Sequence, residues 1–73
     1  MNFQNQILEN SNNPQVQQQI ANAAENGARD AGFKIAVNAS TGRTTFLDQN
    51  SYDNQEDVFR AAQDRVNETE VAA

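Results

Sequence analysis

The 73-residue sequence contains no cysteine and no histidine, so it can form no disulfide and lacks the thiolate and imidazole ligands of most zinc and transition-metal sites. The same two absences remove the commonest general base and the most reactive side-chain nucleophile of enzyme active sites. Tryptophan is missing, tyrosine and proline occur once each, and glycine occurs three times. Only 5 residues are basic against 10 acidic, for a net charge of −5. Scattered cations cannot line a phosphate backbone, so direct nucleic-acid binding is not expected, and the same charge disfavours an anionic membrane surface. No apolar run approaches the roughly 20 residues of a membrane span. The opening MNFQNQILEN has neither the basic start nor the continuous apolar segment of a secretory signal, so a soluble, cytoplasmic chain is expected. On that expectation, Asn38-Ala39-Ser40 and Asn67-Glu68-Thr69 are chance matches to the glycosylation triplet.

Hydrophobic residues make up 37% of the chain, below the roughly 45–50% usual for soluble domains when glycine is counted. A lean core of this kind fits one small domain over residues 1–73, with self-association as the remaining route to stability.

What is present centres on residues 33–48, FKIAVNASTGRTTFLD, where a two-residue alternation broken by turn residues predicts a β-hairpin. If Gly42 takes the left-handed conformation that closes a type I turn with a one-residue bulge, Ala39 pairs with Arg43. Val37 then lies opposite Thr45, Ile35 opposite Leu47, Ala36 opposite Phe46 and Lys34 opposite Asp48. One face carries Phe33, Ile35, Val37, Thr45 and Leu47 as the core side. The other carries Lys34, Ala36, Asn38, Thr44, Phe46 and Asp48. A slip of one residue would exchange the faces.

Residues 1–13 are expected to form an arm or short helix with Phe3, Ile7 and Leu8 as an apolar patch. Asn13-Pro14 is a helix start, and the stripe Val16, Ile20, Ala23, Ala24, Gly27, Ala28 and Ala31 predicts a helix over residues 14–31, with Asn26-Gly27 as a place where it could break. Gly32 is expected to end it in a Schellman turn with Phe33 packing back. Residues 49–53 read as loop. Asp53 with Glu56 resembles a capping box opening a helix over residues 54–69, with Val58, Ala62 and Val66 inward and Arg60 paired to Glu56 and Asp64. Residues 70–73 are expected to fray. The predicted class is therefore α+β, in the order arm, helix, hairpin, helix, with the helices on one face of a two-stranded antiparallel sheet.

Candidate chemistry is sparse. Asp53, Glu56 and Asp57 are explained by the favourable position of carboxylates at a helix N-terminus, and the segment DQNSYDNQED lacks the central glycine of a calcium-binding hand. Ser40-Thr41-Gly42-Arg43 lacks the lysine and spaced glycines of a phosphate loop. No enzyme activity, cofactor, metal or small-molecule substrate is expected. Phe46 stands out as an aromatic on an otherwise polar face. It is covered either by an arm carrying Phe3 and Ile7 or by another chain, and the second reading makes Phe46, Lys34, Ala36, Asn38 and Thr44 a protein-binding face. With two unpaired sheet edges, this favours a non-enzymatic protein-interaction module: a self-associating or accessory subunit of a larger assembly, of the kind that viruses and mobile elements use. The alternative is an acidic inhibitor occupying the basic groove of a nucleic-acid-processing protein.

Overall fold

A computed structural model describes residues 2–69, and the expectation for residues 70–73 lies outside them. The element order is α1 (Phe3–Glu9), α2 (Pro14–Asp30), β1 (Ile35–Val37), β2 (Thr44–Phe46), α3 (Gln49–Asp53) and α4 (Gln55–Glu68). The class is α+β, with a two-stranded antiparallel sheet between the helices as the sequence predicts.

Asn2 caps α1 by accepting from the Asn5 amide, and the helix buries Phe3 and Ile7 while leaving Leu8 exposed. Asn13 caps α2 in the same way, accepting from Val16 N–H with Pro14 at the first turn. The Asn26-Gly27 pair does not break α2. A Cβ on Gly27 would lie 2.5 Å from the Ala61 carbonyl oxygen and 2.7 Å from the Arg65 Cβ, so the missing side chain is what lets α4 approach. The helix ends as expected. Gly32 has φ +92°, Phe33 N–H donates to the Ala28 carbonyl and Gly32 N–H to that of Arg29, which is the full Schellman pair.

The core has two joined parts. Phe3, Ile7, Val16, Ile20, Ala24, Ala62 and Val66 fill the space between α1, α2 and α4, while Ala28, Ile35 and Val58 fill the space under the sheet, and Val37 touches both. One buried polar side chain serves the joint between α1 and α2: Gln17 donates at 2.9 Å to the Ile7 carbonyl, which also accepts from Asn10 N–H at the helix end.

The register of the hairpin differs from expectation by one residue. Ile35 lies opposite Phe46, Ala36 opposite Thr45 and Val37 opposite Thr44. Asn38, not Ala39, closes the turn: its N–H donates to the Arg43 carbonyl and its own carbonyl accepts from Gly42 N–H, leaving a four-residue loop, residues 39–42. The Asn38 side-chain oxygen also accepts from the amides of Ser40 and Thr41, an Asx turn that rewards this loop over the shorter one. The slip leaves the β1 faces as predicted and exchanges those of β2. Phe46 and Thr44 now point inward, whereas Thr45 and Leu47 point out, and Leu47 is 61% exposed. Lys34 accordingly sits opposite Leu47, whose N–H it accepts through its carbonyl at 2.9 Å, and not opposite Asp48.

After β2, residues 49–53 are helix and not loop, because Asp48 caps them by accepting from Ser51 N–H at 2.8 Å. The Asp53–Glu56 capping box does not form. Asn54 is the junction between α3 and α4 and makes no side-chain cap. Arg60 pairs with Asp57 at 3.7 Å, three residues back, and not with Glu56 or Asp64 as expected, and Arg65 bonds to Asp30 across α2 and α4.

Candidate protein-interaction site

The two edges of the sheet are not alike. In an antiparallel pair, residues alternate between exchanging both backbone hydrogen bonds and pointing them away from the partner strand. Bonds at Asn38–Arg43 and Lys34–Leu47 fix the phase, so Ala36 and Thr45 face each other through their backbones. Ile35 and Val37 then direct theirs out along β1, and Thr44 and Phe46 direct theirs out along β2. On the β1 side α2 lies alongside, and the Glu25 carboxylate accepts from Val37 N–H at 2.9 Å. This occupies one of the two outward donors of the β1 edge, which α2 covers; Ile35 N–H, the other, meets no acceptor among the described residues. On the β2 side no strand follows, and no acceptor among the described residues meets the Thr44 or Phe46 amide.

The β2 edge is short, but it carries none of the other devices that normally discourage strand addition. Thr44, Thr45 and Phe46 are uncharged, none is proline, and the register runs without a bulge. Beneath it the inward side chains are well held. The Phe46 ring meets Phe59 at 5.8 Å and Tyr52 at 6.0 Å, both edge-to-face, and Phe59 in turn lies 6.1 Å from Phe3. A cleft of about 510 Å³ opens beside this row, lined by Asn2, Phe3, Gln4, Phe59, Arg60 and Gln63. Gln4 joins cleft to strand, its Nε2 reaching Thr44 Oγ1 at 3.5 Å.

At the far end of β2, Ser51 ties the hairpin to α3. Its hydroxyl is fully buried and accepts from Lys34 N–H at 2.8 Å. Asp48 is held below its ordinary aspartate pKa chiefly by the Ser51 hydroxyl, then by the Ser51 amide, with a smaller contribution from the Lys34 charge; partial burial opposes all three.

The five residues predicted as one binding face do not share a face. Lys34 and Asn38 are exposed on the outer side of the sheet with Ala36 half-buried between them, but Phe46 and Thr44 lie on the inner side. Phe46 is covered by Phe59 and Tyr52 of the same chain, so the motive for reading it as an unpaired outer aromatic is lost. Thr45, Leu47 and Arg43 take the outer positions on β2, where all three are exposed. A second hollow of about 320 Å³ brings Lys34 together with Arg29, Glu25, Phe33, Ile35 and Leu47. The sequence signal missed was the short uncharged run Thr44-Thr45-Phe46, whose lack of charge or proline marks an unguarded edge.

No group of three potential metal-ligating side chains comes together among the described residues, and no helix there is long and apolar enough to cross a membrane. Comparison with protein-family models, with curated proteins and with solved structures found no match to this chain.

Proposed function

We propose that the protein is a non-enzymatic interaction module of the cytoplasm, a self-associating or accessory subunit that binds by adding a strand at the β2 edge. The observation that carries this reading is the pair of residues Thr44 and Phe46, whose backbone donors and acceptors face outward with no partner among the described residues. An extended segment laid along them gains main-chain hydrogen bonds, and its side chains reach the cleft between Phe3, Gln4 and Phe59. Lys34, Ala36 and Asn38 flank this site on the outer face; Thr44 and Phe46 contribute through their backbones.

Proline on an edge strand is tolerated where the lost N–H faces solvent, so Thr44→Pro is expected to keep the fold by circular dichroism while removing one outward donor. Used as bait in the native host's extract, the variant is expected to lose the partners that wild type retains. Retention of the same set by both baits contradicts strand addition.

A second reading rests on the exposed carboxylates Asp53, Glu56 and Asp57, which lie together around a hollow at the α3–α4 junction with Tyr52. An acidic decoy would present such a surface to a basic groove. Salt separates the two, because a charge-driven complex dissociates as ionic strength rises whereas backbone pairing with apolar contacts responds little.

A further inference from the structure

We infer that the segment added at the β2 edge is β2 of a second copy, giving a continuous four-stranded antiparallel sheet about a twofold axis at Thr45; this rests on the strand-addition reading above. The edge is its own complement. When Thr44 is set opposite the second copy's Phe46, and Phe46 opposite its Thr44, both are hydrogen-bonding positions, and two pairs of two bonds each use every outward group of the strand. A register shifted by two residues in either direction would leave part of the row unpaired or run into Gly42 or Asp48.

The flanks also agree with an antiparallel copy. Arg43 precedes the strand and Asp48 follows it, so antiparallel pairing brings the cationic end of one copy to the anionic end of the other, while parallel pairing would match like with like. Arg43 falls beside the second copy's Leu47, and both are exposed outer-face residues here. The arginine stem can then cover a leucine that the single chain leaves in water. Side-chain faces are preserved, because residues paired across antiparallel strands point to the same side. Both helical layers therefore stay on one face of the joined sheet, and the outer faces with Lys34 and Arg43 lie on the other.

Thr45 meets its own counterpart on the axis, which makes the test specific to a second copy. Thr45→Lys and Thr45→Glu each set like charges directly opposite and are expected to weaken dimerisation at least roughly ten-fold by sedimentation equilibrium. An equimolar mixture of the two is expected to recover it, since opposite charges then meet. Thr45 is exposed on the outer face, so both variants keep the monomer's circular dichroism. If both variants dissociate and the mixture stays monomeric, the twofold register is wrong. A wild-type chain that is monomeric throughout, while Thr44→Pro still loses the partners that wild type captures, overturns self-pairing and leaves strand addition standing. A wild-type dimer indifferent to Thr45→Lys, Thr45→Glu and Thr44→Pro alike overturns self-pairing, and if Thr44→Pro also keeps every partner that wild type captures, strand addition falls with it.

Discussion

Phe46 and Leu47 are adjacent apolar residues of which only one can face the helices, and the chain buries the phenylalanine. The ring gains edge-to-face contacts with Phe59 and Tyr52, a geometry worth about 0.5–1.5 kcal/mol beyond burial, whereas a leucine there would have none. Phe46→Ser is therefore expected to cost about 3 kcal/mol or more, the lower end of the range for removing a core phenylalanine, and Leu47→Ser less than about 0.5 kcal/mol. Urea titration of the two variants checks this, and the opposite order would restore the register that the alternation alone suggests. The inward side of β1 was legible in the sequence because Ile35 and Val37 alternate with Lys34, Ala36 and Asn38. The side of β2 was not. Thr44-Thr45-Phe46-Leu47 fits either face, and the decision fell to the loop, where the Asn38 side chain accepts from the Ser40 and Thr41 amides and starts the turn one residue early.

At the scale of elements, helix ends were readable where a local signal stood alone and obscure where two competed. Asn13-Pro14 opens α2 and Gly32 closes it, as their chemistry requires. Between β2 and α4, Asp48 and Asp53 both offered a cap, and Asp48 won because Ser51 reaches back from the first turn and also receives Lys34 N–H from β1. Ser51→Ala leaves that part-buried backbone donor without its acceptor, so it is expected to destabilise the chain by about 1 kcal/mol. Asp48 adds an acid dependence to the same joint. Its pKa in the fold lies below the ordinary 3.8, so its stabilising contribution is complete above that value and is lost as pH falls through the lowered one. Unfolding followed at decreasing pH should show a loss of stability below about pH 4 that shrinks in Asp48→Asn. An unchanged acid profile would mean that the Asp48–Ser51 bond is not kept in solution.

For the whole molecule, the stripes that the sequence offered were enough to bury one face each of α2 and α4, but not to say against what, since the expected sheet receives only part of them. Val58 meets Ile35 under the sheet, whereas Val16, Ile20, Ala62 and Val66 pack with Phe3 and Ile7 of α1. Nor could the stripes convey which surface would stay open, because that depends on non-local pairing: α2 covers the β1 edge and its Glu25, twelve residues from Val37 in the chain, takes up Val37 N–H, whereas no element among the described residues does the same for β2. A chain with this lean a core thus leaves the short β2 row of backbone without a partner among the described residues, beside an aromatic-floored cleft, and the functional reading follows from that row. Residue-resolved amide exchange tests it most directly. Thr45 N–H, directed at Ala36, should be protected at every concentration, while Thr44 and Phe46 should exchange fast in dilute solution and become protected together as the chain self-associates. Thr44 and Phe46 amides already protected in the dilute monomer, or still fast in a dimer established by sedimentation, would contradict pairing at the β2 edge.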